Sequence, residues 1–156
     1  MGQLAFNMPV LNDGIVTNPK AETNLSARRM GLESLLTEAD FISLHLPLVP
    51  STKSLFNREK LRMMKSSAYL INSSWGPVID QETLMKTLEE KWIAGAGLDG
   101  FDLEPLPPDS PLLQLDNVVL SPQMEAHTDE ALLRMAMVVE DVIAVIQGDP
   151  PKNPVI

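Results

Sequence analysis

Four short apolar runs, separated by helical patterns, constrain the fold more than any other feature of the sequence. They lie at residues 41–47, 68–72, 94–99 and 117–122. Each run is too short for a typical helix and is bounded by polar or turn residues, which is typical of a buried strand. Apolar and polar residues alternate only weakly within the runs, as expected for strands covered on both faces of a parallel sheet. Residues 8–11 form a fifth, shorter candidate.

Helical patterns fill the intervals between these runs. Residues 57–64 carry Leu61 and Met64 three positions apart, and residues 81–91 follow Asp80, which we predict to be a helix N-cap. Thr128 precedes two acidic residues and a long apolar pattern that ends near Gly148. Because strands and helices alternate along the chain, we predict an α/β fold with a mainly parallel sheet.

The composition excludes several classes of partner. The 156 residues carry a net charge of −9 and form no basic patch, which argues against nucleic acid and against an anionic membrane surface. There is no cysteine and there are only two histidines, so thiolate and histidine metal sites are not expected. No apolar run is long enough to span a membrane, and no signal peptide precedes the first strand. We therefore expect no membrane partner, no metal and a cytoplasmic location.

Small and polar residues gather at the predicted ends of the strands. Asn12 and Asp13 follow the first candidate, His45 ends the second, and Ser73 and Ser74 follow the third. Asp99 and Ser121 end the last two. In open parallel sheets, ligands bind beyond the carboxyl ends of the strands, so this pattern indicates a cofactor cleft. The alternative is that strand ends are polar because they leave the core.

Longer stretches of the sequence resemble the D-2-hydroxyacid dehydrogenase family. They are ADFISLHLPL at 39–48, LRMMK at 61–65, INSSWGPVID at 71–80, GAGLD at 95–99, EPL at 104–106 and SPQ at 121–123. These segments keep the family's order and spacing over residues 39–130. The resemblance implies a Rossmann-like, doubly wound, mainly parallel sheet. It also implies that residues 1–148 form part of an NAD-binding domain and residues 149–156 a C-terminal tail.

The resemblance also implies which residues contact NAD. Asp13 matches the acidic residue that binds the adenosine ribose, although an aspartate in a turn beside Gly14 is an equally good interpretation. The segment 45–47, followed by Thr52, matches the adenine side, and Asp99 matches the residue that holds the nicotinamide carboxamide. The implied contact set is Asp13, His45, Leu46, Pro47, Thr52, Ser73, Ser74, Trp75, Asp99, Gln123 and Ala126.

Two of the three catalytic positions that the resemblance implies hold other residues. Glu104 matches the glutamate that orients a catalytic histidine, but Trp75 occupies the arginine position and Gln123 the histidine position. Indole offers one neutral N–H where arginine offers a charged fork for a carboxylate, and glutamine exchanges no proton near neutral pH. Since Glu104 then has no catalytic partner, it is better interpreted as an exposed loop carboxylate. His127, at the start of a predicted helix, is interpreted as a surface or capping residue.

The family's phosphate-binding Gly-x-Gly-x-x-Gly loop and the first strand would precede residue 1, and Gly95-Ala96-Gly97 lies inside a later predicted strand. We therefore expect an incomplete sheet, half or less of a complete subunit, and NAD binding that is weak or lost. Residues 8–11 would then pair with the strand at 41–47, pack elsewhere or stay loose. The uncovered edge also makes a homodimer an expected form.

Two functions remain open at this point. By resemblance the chain is an NAD-dependent oxidoreductase that acts on the CH–OH group of D-2-hydroxy acids, reducing 2-keto acids. It would be a truncated form, weak or inactive on its own, with a small 2-hydroxy or 2-keto acid as its partner. The alternative is a non-catalytic module derived from that family, which binds NAD or another protein.

Overall fold

The structure is a computed structural model that describes residues 8–14, 19–123 and 128–154. The chain divides into two compact units, Met1–Ser121 and Pro122–Ile156. The sequence places a domain boundary after residue 148 instead, and that boundary stays a prediction.

The described part of the first unit alternates strands and helices. Its strands are β1 (Leu11–Asn12), β2 (Arg28–Arg29), β3 (Phe41–Leu44), β4 (Tyr69–Asn72), β5 (Gly95–Leu98) and β6 (Val118–Leu120). Its helices are α1 (Pro19–Leu25), α2 (Leu32–Glu38), α3 (Arg58–Met63) and α4 (Gln81–Glu89), with 3-10 turns at Gly76–Val78 and Pro111–Gln114. The second unit contains α5 (Asp129–Ala136) and α6 (Val138–Gln147). None of the helices that the structure describes is long and apolar enough to cross a membrane.

A four-stranded sheet in the order β3-β4-β5-β6 forms the centre of the first unit. Every pair in it is parallel, with Phe41 opposite Tyr69 and Tyr69 opposite Gly95. The four short apolar runs at 41–47, 68–72, 94–99 and 117–122 all contribute strands of this sheet. The predicted α/β class with a parallel, Rossmann-like sheet is therefore confirmed.

Burial alternates strictly along β3. Ile42 and Leu44 are buried, whereas Phe41 is 57% exposed and stacks on Tyr69 with ring centroids 5.6 Å apart. Apolar side chains thus occupy both faces of this strand although only one face is buried. This is why the sequence shows so weak an alternation.

The buried face of the sheet packs against three helices. Leu36 of α2, Leu61 of α3 and Leu88 of α4 are at most 1% exposed and join the core formed around Leu70 of β4. Complete burial of such a side chain stabilises a fold by roughly 1.5–3 kcal/mol. The core thus packs against one face of the sheet, and the polar loops follow the ends of the strands.

Helix ends follow the predicted signals. Asp80 Oδ1 accepts a hydrogen bond from the Thr83 N–H at 2.9 Å, and Thr128 caps α5 through the Ala131 N–H at 3.1 Å. Gly148 ends α6 in the left-handed region, with φ at 88°. The pattern predicted one helix after Thr128, but the structure has two. They divide at Met137, whose N–H donates to the carbonyls of both Leu133 and Arg134.

The first forty residues depart most from the sequence prediction. Strand β1 lies at Leu11–Asn12, overlaps the predicted run only at Leu11, and pairs in parallel with β2 in a sheet of their own. Of the three options of pairing with the strand at 41–47, packing elsewhere or staying loose, β1 thus takes the second. The sequence did not indicate β2, because two adjacent arginines carry no strand signal. It also missed α1 and α2, and α2 begins after Gly31 without a side-chain cap.

Candidate functional site

The parallel strands of the main sheet end at a common edge, where three loops carry most of the predicted contact residues. They are residues 45–52 after β3, 73–76 after β4 and 99–104 after β5. Because ligands of open parallel sheets bind beyond this edge, it is the candidate site.

Asn72 organises the loop after β4. Its side chain is buried, with 1% exposure, and Oδ1 accepts hydrogen bonds from the Ser74 N–H at 3.0 Å and the Ser74 hydroxyl at 2.8 Å. Its Nδ2 donates to the Trp75 carbonyl at 3.1 Å. A buried amide satisfied in this way holds the loop in one conformation. The sequence did not predict this role for Asn72, although an amide at the end of an apolar run is a visible signal.

The tip of this loop faces solvent. Trp75 is 56% exposed and Ser73 is exposed, whereas Gly76 behind them is buried. The loop therefore exposes a large aromatic side chain and a hydroxyl at the edge of the sheet, while the buried Asn72 side chain holds its backbone in place.

The loops after β4 and β5 touch through two glycines. A Cβ atom at Gly76 would lie 2.2 Å from the Phe101 carbonyl carbon, and one at Gly100 would lie 2.7 Å from the Ser74 carbonyl oxygen. The Asp99 N–H also donates to the Asn72 carbonyl at 2.9 Å. Because backbone meets backbone at both glycines, a side chain at either position would push the loops apart.

Glu104 belongs to this joined pair of loops. Its Oε1 accepts a hydrogen bond from the Phe101 N–H at 3.0 Å and lies 3.6 Å from where a Cβ at Gly100 would be. The residue is exposed. The fold thus brings a carboxylate close to the Ser74–Trp75 loop, and the same hydrogen bond gives it a local role in shaping its own loop.

The loop after β3 is closed by Thr52. Its hydroxyl donates to the Pro47 carbonyl at 2.6 Å and accepts from the Val49 N–H at 3.0 Å, and the residue is nearly buried. His45 is exposed, with Nε2 2.9 Å from the Ser43 hydroxyl. Thr52 was predicted to contact a cofactor, but the contacts of its hydroxyl are within the loop, which it shapes.

Asp13 and the β3 loop share a cavity of about 270 Å³. Asn12 and Asp13 line it from the end of β1, and His45 and Leu46 line it from the end of β3. Asp13 is exposed. The fold therefore brings together three residues that the sequence predicted to contact the same part of a ligand.

Gly95, Gly97 and Gly100 match the spacing of a Gly-x-Gly-x-x-Gly motif. A phosphate loop of this kind follows a strand and opens a helix, whose N-terminus meets the anion. Here the first two glycines lie within β5, and a loop rather than a helix follows Gly100. The first two glycines therefore belong to a strand and the third to a contact between loops, and together they do not form a phosphate site.

The remaining predicted residues, Gln123, Ala126 and His127, do not belong to the described part of the first unit. Gln123 belongs to the second unit and has a positive φ of 50°. Ala126 and His127 lie outside the described residues. Glu104 and the residues around Trp75 are thus joined by the structure, whereas the position of Gln123 relative to them stays a prediction.

One carboxyl group near these loops has a perturbed pKa. Partial burial raises the pKa of Asp102, the Asp80 carboxylate raises it further, and Lys53 partly offsets both effects. The Asp102 N–H donates to Gln81 Oε1 at 3.0 Å. Nowhere in the described ranges do three or more His, Asp or Glu side chains gather as a metal site would require.

Comparison with known proteins gives a family model that matches residues 3–124, described as "D-isomer specific 2-hydroxyacid dehydrogenase, NAD binding domain". A glyoxylate reductase of Korarchaeum cryptofilum is 47% identical over 95% of this chain and 45% of its own length. A glyoxylate/hydroxypyruvate reductase B of Escherichia fergusonii is 46% identical over 95% of this chain and 46% of its own. The chain thus spans about half the length of these curated relatives.

Solved structures agree with the sequence comparison. A protein of Thermus thermophilus superposes with a TM-score of 0.86 at 43% identity, covering 98% of this chain and 48% of its own. The NAD-complexed D-isomer specific 2-hydroxyacid dehydrogenase of Lactobacillus delbrueckii gives a TM-score of 0.85 at 30% identity. The superposition covers 97% of this chain and 50% of the Lactobacillus chain. The arrangement of strands and loops described above is therefore shared with these proteins.

We predict that Asn72→Ala lowers the free energy of unfolding by about 2–4 kcal/mol, because three hydrogen bonds worth roughly 1 kcal/mol each are lost in a buried position. Ser74→Ala is the matched control, since it removes only one of them and should cost about 1 kcal/mol or less. Urea unfolding measures both. Equal losses in the two variants would show that Asn72 does not organise the loop.

We predict that Asp102→Asn stabilises the chain at pH 7 and that the gain disappears in acid. A carboxyl group whose pKa is raised by folding contributes its stability below its unfolded pKa and loses that contribution as the pH rises through the folded value. Unfolding curves between neutral and acidic pH measure the gain. Lys53→Met should destabilise the wild type at pH 7 but not the Asp102→Asn variant, and a pH-independent gain would contradict this account.

Proposed function

Because this chain belongs to the D-isomer specific 2-hydroxyacid dehydrogenase family, we propose that it forms the dinucleotide-binding rim of an NAD-dependent oxidoreductase that acts on the CH–OH group of 2-hydroxy acids. We propose further that it does not complete a catalytic cycle on its own. The observation that supports the proposal is the contact between the loops after β4 and β5 at the Asn72 carbonyl and at Gly100, because these two loops carry Trp75 and Glu104.

The cavity between β1 and β3 fits the adenosine half of the cofactor. Asp13 offers a carboxylate that can accept hydrogen bonds from two ribose hydroxyls, and Leu46 with the apolar lining offers a surface for adenine. A negative charge at Asp13 would repel a 2′-phosphate. This arrangement supports NAD rather than its phosphorylated form.

The rim at β4 and β5 fits the nicotinamide half. Ser73 and Ser74 present hydroxyls beside the proposed ring position, and Asp99 follows β5, where it would hold the carboxamide. When bound, NADH supplies the hydride for reduction of a 2-keto acid. This chain's own contribution would be to orient the ring and shield one side of it.

The phosphates of the cofactor lack an anchor among the described residues. Gly95, Gly97 and Gly100 do not open a helix, so their backbone N–H groups do not form an anion-binding turn. The net charge of −9 also opposes a dianionic ligand. We therefore propose that NAD binds weakly.

Turnover is limited by the residues at two positions of the proposed catalytic set. Trp75 provides no positive charge for a substrate carboxylate, and Gln123 provides no proton as hydride is transferred. Glu104 already hydrogen-bonds to the Phe101 N–H and would have no histidine to orient. The chain is thus proposed to be inactive, or nearly so, on its own.

The second candidate is a non-catalytic module that binds a dinucleotide or another protein. The specific observation in its favour is the exposed indole of Trp75 at the tip of a loop with a fixed base. An indole there offers a flat surface for stacking. A small 2-hydroxy or 2-keto acid would then be no substrate of this chain, and self-association through exposed apolar residues would be one form of the protein interaction.

We predict that NADH binds with a dissociation constant on the order of 1 mM and that NADPH binds roughly tenfold more weakly, because Asp13 repels the 2′-phosphate. Asp13→Asn should narrow this difference, whereas Asp109→Asn, on another loop, should not. Amide chemical shifts followed during titration of each cofactor measure the constants. Absence of any shift at millimolar NADH removes the binding proposal.

We predict no NADH oxidation above background with glyoxylate, hydroxypyruvate or pyruvate, because the general acid and the carboxylate-binding charge are missing. Absorbance of the reduced cofactor measures the rate, and Glu104→Gln is the control. A wild-type rate that vanishes in Glu104→Gln would show that the chain is a working enzyme.

A further inference from the structure

Two Asp-Gly pairs occur in the sequence, and the fold places them in opposite surroundings. They are Asp13-Gly14, directly after β1, and Asp99-Gly100, directly after β5. A glycine that follows an aspartate has no side chain to keep its backbone nitrogen away from the aspartate carboxyl group. In such a pair the nitrogen can attack the preceding side chain, and the surrounding structure decides whether it does.

The reacting groups of the first pair are unengaged in the part of the chain that the structure describes. Asp13 is exposed, and its carboxylate has no hydrogen-bond or ion-pair partner among those residues. The Gly14 N–H likewise donates to no described backbone carbonyl. The Arg29 guanidinium donates to the Gly14 carbonyl at 2.7 Å, which holds the glycine on its far side and leaves its nitrogen accessible to the Asp13 side chain.

The second pair is held on several sides. The Asp99 N–H donates to the Asn72 carbonyl at 2.9 Å, and Gly100 is buried. A Cβ atom at Gly100 would lie 2.7 Å from the Ser74 carbonyl oxygen and 3.2 Å from the Gly76 nitrogen. The Gly100 nitrogen could turn toward the Asp99 carboxyl group only if the loops after β4 and β5 separated, which requires local unfolding.

We propose that Asp13 is a site of spontaneous isomerisation to isoaspartate. The Gly14 nitrogen attacks Asp13 Cγ, an N–Cγ bond forms, and the carboxyl hydroxyl leaves with the amide proton as water, which gives a five-membered succinimide. Water then adds to the Asp13 main-chain carbonyl carbon and breaks its bond to the Gly14 nitrogen. The chain now runs through Cγ, and the former main-chain carbonyl is a free carboxylate. One water leaves and one returns, so mass and oxidation state do not change.

The isomerisation would change the cavity that Asp13 shares with Asn12 and His45. It lengthens the backbone by one methylene and shortens the acidic side chain by the same group, so the carboxylate withdraws toward the chain. This consequence rests on the proposed function, in which the Asp13 carboxylate accepts hydrogen bonds from the ribose hydroxyls. An isomerised chain should therefore bind NADH several-fold more weakly.

The test stores the full chain at neutral pH and 37 °C for several weeks, once folded and once in guanidinium chloride. Isoaspartate is measured at each position by peptide mass spectrometry after digestion with a protease that cleaves before aspartate but not before isoaspartate. In the folded chain it should accumulate at Asp13 about tenfold faster than at Asp99 or more, because the second pair reacts only after local opening. In denaturant the two identical dipeptides should react at similar rates.

Gly14→Ala should slow the reaction at Asp13 about tenfold by crowding the nitrogen. Gly31→Ala is the matched control, since a Cβ there meets nothing within 4 Å, and it should leave the rate unchanged. Circular dichroism checks that both variants fold. Equal rates at Asp13 and Asp99 in the folded chain, or an unchanged rate in Gly14→Ala, would overturn the proposal.

Amide chemical shifts measure NADH affinity before and after storage. The affinity should fall in the stored wild type and persist in stored Gly14→Ala. Isoaspartate at position 13 without a loss of affinity would overturn the link to the cavity. If the fresh chain does not bind NADH, the proposed function and this link both fall, whereas the chemistry at Asp13 is still decided by mass spectrometry.

Discussion

The candidate site depends on one constraint of the parallel sheet: all of its strands finish at the same edge, so their loops must be kept apart or joined by specific contacts. Asn72 supplies the main contact from within, because its buried amide holds the Ser74 and Trp75 backbone. Gly100 and Gly76 supply the other, since only a residue without a side chain lets the loops after β4 and β5 meet. The rim is therefore rigid at its base although Trp75 and Glu104 themselves are exposed.

The sequence predicts the parts of the fold whose signals are local. Four apolar runs become β3 to β6, and Asp80, Thr128 and Gly148 mark helix ends because caps act within one turn. It fails where tertiary pairing decides. Arg28 and Arg29 form β2 only because Val10 and Asn12 accept from Arg28 and Met30. Gly95, Gly97 and Gly100 match a phosphate motif in letters, and only the absence of a following helix shows that they do not form one.

The same distinction holds for the site. Resemblance to a family predicts that Glu104 and Trp75 belong to one site, and the structure brings Glu104 Oε1 and the Ser74 carbonyl close to Gly100. No pattern in the sequence distinguishes a threonine that contacts a cofactor from one whose hydroxyl closes its own loop. The Thr52 hydroxyl donates to the Pro47 carbonyl and so closes its own loop. Asn72 was overlooked for the opposite reason, because a polar residue at the end of an apolar run is counted as part of the strand.

The spacing of two strands in different sheets bears on the adenosine cavity. Asp13 follows β1 and His45 follows β3, so the spacing of these strands sets the distance between the two side chains. Among the described residues β1 pairs only with β2, and β3 pairs only with β4. Backbone hydrogen bonds between β1 and β3 therefore do not fix that spacing. The weak dinucleotide binding that we propose would then reflect this unfixed spacing as well as the lack of a phosphate anchor among the described residues.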